Sequence, residues 1–501
     1  SISGDLGVAY SVNLDKHVLF LNAQYSMSRQ KYDYYSVEAE GLANDNMDHI
    51  SMAVQYYGTQ PTGGEGITRD LGVVGSANYS YDNRYLLDVN YRLTGSSDFG
   101  ADKRWGHFYS FGAGWNVHEE KFLKDVVWIN RIKLRASTGY TGSQGFSTYA
   151  AVPTVNYYQS GYRGQLGSYL LGLANPDLAW QKKYDNNLGI DVTFLDGSLN
   201  GRFDWYVSTT KGTITNVTTP PSTGFASYTA NLGEVENKGW EAYLNWRVWN
   251  EKASMSYVTL YVSASGNENT LKKVSNSLKS MNDVTDKDYD EKSENTSVPV
   301  RYEEGASMST IWVVKSLGID PETGKEVFRK KDGSLTYDWD SRDYVDGGDT
   351  RPKVSGNFGI NAEWHGIGLN AGFTWRLGGQ IYNTTLLNKV ENADVHKNVD
   401  RRVFTDRWNT PGQVARFKAI SDDSSTQPTS RFVEDYNLLT FSSLNVYYDF
   451  RECGFVKNSF LQRMKATFYM NDIATISSVK TERGTSYPFA RTFSFSLQVT
   501  F

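Results

Sequence analysis

The chain ends in the stretch RTFSFSLQVTF, residues 491–501, in which apolar and polar residues alternate. Side chains alternate between the two faces of a β-strand, so this strand has one apolar and one polar face. A soluble protein rarely leaves a strand this apolar at the open edge of a sheet, because unpaired strand edges bind other chains. Closure into a membrane barrel avoids this, since the strand is then paired and its apolar face meets lipid. From this stretch alone, the alternative is the edge strand of a soluble β-sandwich.

The composition allows a membrane protein built from strands. The 501 residues have a mean hydropathy of −0.52 and a net charge of −5. No apolar run is long enough for a membrane-spanning helix, which needs about 20 residues. A spanning strand needs only about 9–11 residues, half of which can be polar. Aromatic residues make up 14% of the chain, which suits girdles at both membrane interfaces. The negative charge argues against a nucleic-acid partner, and the single cysteine, Cys453, excludes an internal disulfide.

The same alternation recurs along the chain and predicts roughly 14 antiparallel strands. Besides the terminal one, the alternating segments are 6–12, 19–27, 71–79, 85–93, 132–138, 188–194, 199–207, 240–248, 358–364, 367–375, 444–450 and 466–470. One face of each is apolar, whereas the other often carries charges such as Asp88, Arg92 and Arg202. Inward charges would be costly in a closed hydrophobic core but suit a water-filled lumen. The sequence therefore predicts an all-β fold, a transmembrane antiparallel β-barrel.

The connections between the predicted strands fall into two classes. Short turns are predicted at Asp82-Asn83, Asp196-Gly197, Glu251-Lys252 and His365-Gly366. Long loops are predicted at about 29–68, 142–178, 213–231, 268–351, 383–435 and 473–489. Short turns on one rim and long loops on the other are typical of outer-membrane barrels, whose long loops lie outside the cell. A β-propeller would instead have a repeat of about 40–45 residues, and the sequence has none.

No group of residues predicts catalysis, a metal centre or a bound cofactor. The six histidines, which are His17, His49, His107, His118, His365 and His396, lack the spacing of metal ligands. The acidic run at 282–291 resembles a calcium loop only loosely, because the glycine of such a loop is missing, and we interpret it as a solvated loop. The acidic segment 343–349 is a second candidate cation site, although an ordinary loop is the favoured interpretation.

Several residues in the long loops could contact a substrate. Tyr157-Tyr158, Tyr162-Arg163, Trp339-Asp340 and Arg407-Trp408-Asn409 combine rings for stacking with groups for hydrogen bonds. Loop packing or a place in the aromatic girdle is the favoured interpretation of each. Inward acids such as Asp88, Asp191 and Asp204 could serve a glycan hydrolase, which needs two carboxylates across a cleft. Ionic networks in a barrel lumen explain these acids more simply.

Several segments together resemble a known family. They are 82–87, 95–100, 104–106, 114–115, 134–137, 142–144, 175–180, 233–239, 318–324 and 349–352, followed by the final Phe501. Their order and spacing resemble the carboxyl-terminal part of SusC-like TonB-dependent transporters from the outer membranes of Bacteroidota. The resemblance covers nearly the whole chain and is specific as a set, although each segment alone is weak.

The resemblance implies a barrel of about 22 strands with a plugged lumen, of which this chain supplies roughly the C-terminal two-thirds. It implies import of oligosaccharides or oligopeptides, energised through TonB, with no enzymatic step. The implied partners are the TonB complex, reached through an N-terminal plug with a TonB box, and a SusD-like surface lipoprotein that acts as a lid. This sequence departs from the family because it has neither plug nor TonB box. We expect both upstream in the same polypeptide or in another chain.

Two alternatives to active import stay open. A passive porin or surface adhesin on the same barrel would need neither energy coupling nor a lipoprotein. A β-rich glycan hydrolase would cleave its substrate instead of moving it. The one site residue that the sequence singles out is the terminal Phe501, which resembles the assembly signal of bacterial outer-membrane barrels.

Overall fold

A computed structural model of the chain describes all residues except 43, 45, 47, 58–60, 101–102, 144–150, 159–162, 164, 166, 220–222, 226, 232, 255, 293, 395 and 481–490. The role predicted for Tyr162 lies outside the described residues, as do residues 144–150, 159–162, 164 and 166 of the predicted loop 142–178 and residues 481–489 of the predicted loop 473–489. The strand before the second of these loops continues to Ser477.

Within the described residues, the main sheet has 15 strands, each paired with its neighbours in chain order. We number them β1 to β15: Ile2–Leu14, His17–Ser36, Thr62–Tyr81, Tyr85–Ser96, Trp105–Asn116, Ile129–Ser143, Gln181–Phe194, Leu199–Lys211, Glu234–Glu251, Ser256–Lys273, Val354–Trp364, Ile367–Tyr382, Val433–Asp449, Arg463–Ser477 and Phe493–Thr500. The registers between neighbours, such as β1 with β2 and β14 with β15, are antiparallel. The predicted all-β antiparallel fold is confirmed. Two strands, β5 and β10, were not among the predicted segments.

The chain divides into two compact units. Unit 1 comprises residues 1–113, 138–184 and 210–232, and unit 2 comprises residues 114–137, 185–209 and 233–501. In both units the apolar face of the strands is the exposed one: Leu6 in unit 1 is 71% exposed and Phe495 in unit 2 is 78% exposed. The charged Asp204, on the opposite face in unit 2, is only 5% exposed. This inverts the usual arrangement in water, and it is the arrangement expected of strands that face lipid.

The tight turns occur where the sequence predicts them. Asp82 and Asn83 both have positive φ, at 50° and 53°, as two-residue hairpin turns require. His365 has φ of 46° and is followed by Gly366 at 87°. Short polar residues and glycine tolerate this left-handed region at low cost, which explains why these pairs stand between alternating strands.

The long connections contain more secondary structure than the sequence predicts. The predicted loop 29–68 is shorter than expected, because β2 continues to Ser36 and β3 begins at Thr62. Short strands pair within three of the connections: Ala39–Glu40 with Gln55–Tyr56, Val155–Tyr157 with Ser168–Leu170, and Ile214–Thr218 with Ser227–Asn231.

The two longest connections, residues 274–353 and 383–432, form what we call the loop domain. It contains a four-stranded sheet of Leu335–Thr336, Glu326–Arg329, Thr310–Ile319 and Tyr344–Asp349, in that order. The second connection adds the short helical segments Thr384–Leu386, Leu387–Glu391 and Arg402–Thr405. Ile311, Val313, Leu387, Val390, Phe417 and Phe432 are at most 2% exposed and form one apolar core. The predicted loops 268–351 and 383–435 therefore fold together.

The acidic run 282–291 is helical, so its interpretation as a solvated loop was wrong. It lies in helix α1, Asn276–Glu291, whose N-cap Ser275 accepts a hydrogen bond from the Leu278 N–H. Leu278 and Tyr289 are buried at 3% and 8% exposure, so packing of one face stabilises a helix that its composition does not indicate. Among the described residues, no helix is both long enough and apolar enough to span a membrane.

Candidate functional site

The polar face of unit 2 carries four ion-paired side chains on the neighbouring strands β6, β7 and β8. Arg135 donates to both carboxylate oxygens of Asp191, at 2.9 and 3.0 Å. Arg135 Nη2 also lies 3.0 Å from Asp204 Oδ1, and Arg202 Nε donates to Asp204 Oδ2 at 2.6 Å. Beside this cluster lies a polar cavity of about 250 Å³, lined by Arg202, Asp204 and Glu241.

These contacts confirm the ionic network that the inward charges predicted. Asp191 and Asp204 share Arg135, so arginine holds both carboxylates. This arrangement balances charge and leaves neither acid ready to protonate a leaving group, as a glycoside hydrolase requires. Asp88 lies in unit 1, where it accepts a hydrogen bond from Asn78.

The acidic segment 343–349 uses its carboxylates locally. Asp343 accepts from the Lys331 N–H at 3.0 Å, and Asp346 accepts from the Gly348 N–H at 2.8 Å. Burial alone would raise the pKa of Asp349, but hydrogen bonds from Ser307, Ser309 and the Arg351 N–H outweigh it and hold the pKa below its usual range. In the described part of the chain, no three His, Cys, Asp or Glu side chains form a group that could hold a metal ion.

Most of the candidate loop residues hold the loop domain together. The Trp339 indole donates to Pro428 O at 3.1 Å, and that of Trp408 donates to Pro321 O at 2.8 Å. Arg407 is 2% exposed and donates to the carbonyls of Lys418, Ala419 and Asp422. The favoured interpretation of these residues as loop packing is confirmed.

Among the candidate residues that the structure describes, one aromatic pair remains exposed. Tyr157 and Tyr158 in unit 1 are 63% and 55% exposed, and the Tyr158 ring lies 4.9 Å from that of Tyr169. They lie on or beside the short hairpin that the connection between β6 and β7 contains.

A larger cavity of about 740 Å³ lies in unit 2, at the end of β10 that leads into the loop domain. Its volume is in the range of ligand pockets. Trp205 and Trp240 line it with apolar surface, whereas Lys238, Glu268, Arg351 and Gln380 line it with polar groups. It is a second candidate binding site among the described residues of the unit, and no sequence pattern predicted it.

The cavity exists because the pairing of β10 with β11 stops early. The register runs from Tyr257 opposite Glu363 to Ser265 opposite Ser355 and goes no further, although β10 continues to Lys273. Pro352 stands just before β11 and has no N–H to offer a ladder. The sequence signal for this break in the ladder is Pro352, which belongs to the segment 349–352 of the resemblance.

Comparisons with known proteins agree with this architecture. The family model described as TonB dependent receptor-like, beta-barrel, matches residues 2–450. TonB-dependent receptor P39 of Formosa agariphila is 26% identical over 92% of this chain and 47% of its own length. TonB-dependent receptor SusC of Bacteroides thetaiotaomicron is 37% identical over 34% of this chain and 18% of its own length. The chain spans about half the length of the curated relatives that match it most fully.

Solved structures give the same result for the fold. The RagAB peptide transporter superposes with a TM-score of 0.81 at 19% identity, over 95% of this chain and 52% of that chain. The RagAB peptide importer in its open-open state superposes with a TM-score of 0.82 at 20% identity, over 100% of this chain and 54% of that chain. At such identities the likeness establishes the barrel fold alone.

Proposed function

The chain belongs to the TonB-dependent receptor-like β-barrel family, and we propose that within its full-length protein it forms the wall of an energised importer. The membership confirms the predicted resemblance and the location in the bacterial outer membrane. The proposed cargo is an oligosaccharide or an oligopeptide. The cargo named for the similar RagAB protein, a peptide, supports the second class.

The observation that carries the proposal is the split between the two faces of the sheet. The exposed face is apolar and suits lipid, whereas the opposite face holds ion pairs such as Arg135 with Asp191. A polar, charged wall suits the passage of a hydrated solute. Substrate would be captured among the long connections and released along this wall when a plug moves.

Two partners complete the proposal. The TonB complex would act through a plug with a TonB box, in the part of the full-length protein that this chain does not include. A SusD-like lipoprotein would close over the long connections as a lid. Closure of this kind is a gating step that requires no chemistry on the substrate.

Energy coupling is testable by uptake. We expect cells that make the full-length protein to accumulate labelled oligopeptides or oligosaccharides, and deletion of its TonB box to reduce uptake to the level of cells without the protein. A protonophore should have the same effect. Uptake that survives both treatments would support a passive porin and overturn active import.

The lid is testable by composition. We expect a lipoprotein to co-purify with the full-length protein from detergent-solubilised outer membranes, and mass spectrometry of every polypeptide in the complex to identify it. A stable complex without any lipoprotein would contradict the proposed lid. It would not contradict TonB-driven uptake, which the uptake experiment tests separately.

A further inference from the structure

The exposed apolar face of unit 1, here called its outward face, ends in a pair of arginines. On the neighbouring strands β2 and β3, the last two apolar side chains of this face are Met27 and Leu71, which lie opposite each other in the register. The next residues on the same face are Arg29 and Arg69, which also lie directly opposite each other. Both arginine side chains are exposed. The surface that suits lipid therefore stops at two neighbouring cations.

This pair lies at the expected outer boundary of the membrane. The apolar face of β2 begins at Leu19, and a spanning strand needs about 9–11 residues, which places the boundary at residues 27–29. The Trp105 ring lies over Gly95, which is opposite Leu71, so an aromatic residue of the kind found at membrane interfaces stands at the same level. Beyond this level β2 and β3 are joined by one of the long connections, which lie outside the cell in outer-membrane barrels. The arginine pair is therefore at the level of the outer leaflet.

Within the part of the chain that the structure describes, no carboxylate balances the two arginines. Side chains directly opposite each other in an antiparallel pair have Cβ atoms about 4.5–5.5 Å apart, and like charges at such positions are destabilising. Neither the Arg29 nor the Arg69 side chain forms a hydrogen bond or an ion pair with another described residue. Asp70, the chain neighbour of Arg69, points to the opposite face of the sheet, where it accepts from Ser28 at 3.3 Å. An anion from outside the chain would turn this repulsion into attraction.

The next cation along the outward face is, by contrast, balanced by the chain itself. Lys31 Nζ lies 3.3 Å from Asp33 Oδ1 and 3.3 Å from Glu65 Oε2. Asp33 and Glu65 lie opposite each other in the register, farther from the apolar residues than the arginine pair. The hairpin of β2 and β3 thus neutralises its own charge above the membrane, but the cations at the membrane boundary are left to another partner.

The chemistry of the pair suits a phosphate group attached to acyl chains. Guanidinium groups bind phosphate oxygens through parallel N–H···O bonds and are more weakly hydrated than ammonium groups. Apolar surface adjoins the cations: Met27 is 54% exposed, and Ile2, opposite Arg29 on β1, is 71% exposed. Lipopolysaccharide, a main lipid of the outer leaflet of bacterial outer membranes, carries phosphate on a sugar headgroup directly above its acyl chains. Its phosphate and acyl chains would therefore meet cations and apolar side chains in the same order.

We propose that Arg29 and Arg69 together bind a phosphate group of lipopolysaccharide, while Met27 and Leu71 contact its acyl chains. The site goes beyond the proposed import function, because it lies on the outward face and not on the wall along which a cargo would pass. The bound phosphate replaces repulsion between the two arginines by attraction to a shared anion. It thereby stabilises the hairpin of β2 and β3 at the membrane surface.

The first test changes the lipid and not the protein. We expect monophosphoryl lipid A to raise the unfolding temperature of the full-length protein in detergent, because a ligand that binds the native state stabilises it. The same lipid A should give a clearly smaller shift after a phosphatase has removed its phosphate. Equal shifts with the two lipids would overturn phosphate recognition. An equal shift with inorganic phosphate, which has no acyl chains, would show an adventitious anion site only and would overturn the lipid.

The second test locates the site by substitution. The double variant Arg29→Gln, Arg69→Gln should bind monophosphoryl lipid A about tenfold more weakly, measured by native mass spectrometry of the lipid-bound fraction. Without lipid it should unfold at no lower temperature than wild type, because the like charges are gone. The matched control Lys16→Gln, Arg92→Gln removes two cations of the same unit: Lys16 precedes β2 at its other end, and Arg92 donates to Thr94 on the inward face. Unchanged binding in the first variant, or an equal loss in the control, would remove the site.

A protein partner is the competing occupant, and the same double variant distinguishes it from lipid. If the variant keeps its affinity for lipid A but loses a lipoprotein that co-purifies with wild type, the arginine pair belongs to a protein interface and the lipid assignment is wrong. The expected result is the reverse: the affinity for lipid A falls, whereas the lipoprotein and energised uptake of cargo stay at wild-type levels. That result would establish the lipid site whether or not the importer proposal survives its own test.

Discussion

Replacing Arg431 by methionine is expected to destabilise the loop domain by about 3–5 kcal/mol, because it leaves buried acids without their cation. Arg431 Nη2 lies 2.6 Å from Glu326 Oε2 and 2.5 Å from Glu391 Oε1. The side chains of the two glutamates are 7% and 0% exposed, so water cannot replace the arginine. Burial alone would lower the pKa of Arg431, but attraction to the two glutamates outweighs it and raises that pKa above its usual value.

The measurement is limited proteolysis of the full-length protein, combined with its thermal unfolding. In the Arg431→Met variant we expect early cleavage within residues 274–432. The matched control is Arg342→Met, which removes an arginine of the same domain that pairs with Asp340 but is 84% exposed. Exposed pairs contribute about 0–1 kcal/mol, so this control should behave like wild type.

A rescue variant separates lost charge balance from lost packing. Combining Arg431→Met with Glu326→Gln and Glu391→Gln removes all three charges of this triad, so neither glutamate position keeps a carboxylate without its arginine. We expect this triple variant to regain most of the protease resistance. If it is as sensitive as the single variant, the network does not act through its charges.

The sequence predicts the membrane-facing parts of the fold well. Thirteen of the 15 main-sheet strands coincide with segments of strict alternation, because lipid on one side and water on the other impose a period of two. The strand β5 was not predicted because it contains Gly106, Gly112 and Gly114, which weaken the polar half of the pattern. In β10, the polar end at Asn267, Glu268 and Asn269 conceals the alternation.

Strand ends and folded connections were harder to predict. β2 continues through Arg29 to Ser36, where both faces are polar or aromatic and no alternation exists. It stays extended because each residue pairs with β3, for example Tyr32 with Gly66. The loop domain depends on contacts such as Arg431 with Glu326, 105 residues apart, and local patterns carry no signal of such contacts.

The candidate site was the part least accessible from the sequence. The inward charges of β6 to β8 predicted the ionic cluster, because side chains on the same face of neighbouring strands lie close together. The large cavity did not, because it results from a ladder that stops between Ser265 and Ser355 while one of its strands continues. Alternation shows which face of the sheet a residue lies on, but it does not show which strand lies beside that residue. It therefore does not predict where the pairing of two segments about 90 residues apart ends.

Replacing Phe501 by aspartate, or deleting it, is expected to remove most of the full-length protein from the outer membrane. The prediction rests on the resemblance of this terminal aromatic residue to an assembly signal. Phe501 is 71% exposed at the end of β15, and its ring stacks 5.7 Å from that of Phe460. The residue thus remains accessible to another protein while its strand is already paired with β14.

The magnitude of the effect distinguishes a signal from a stabilising contact. A charge near the membrane interface costs only about 0–1 kcal/mol, so a roughly tenfold loss of surface-exposed protein would exceed what stability explains. Thr500→Asp is the matched control, because it adds the same charge one position earlier and keeps the terminal aromatic ring. Phe460→Ala removes the stacking partner and keeps the signal. Surface labelling of intact cells should find both controls near wild type, and normal surface levels of Phe501→Asp would contradict the assembly role.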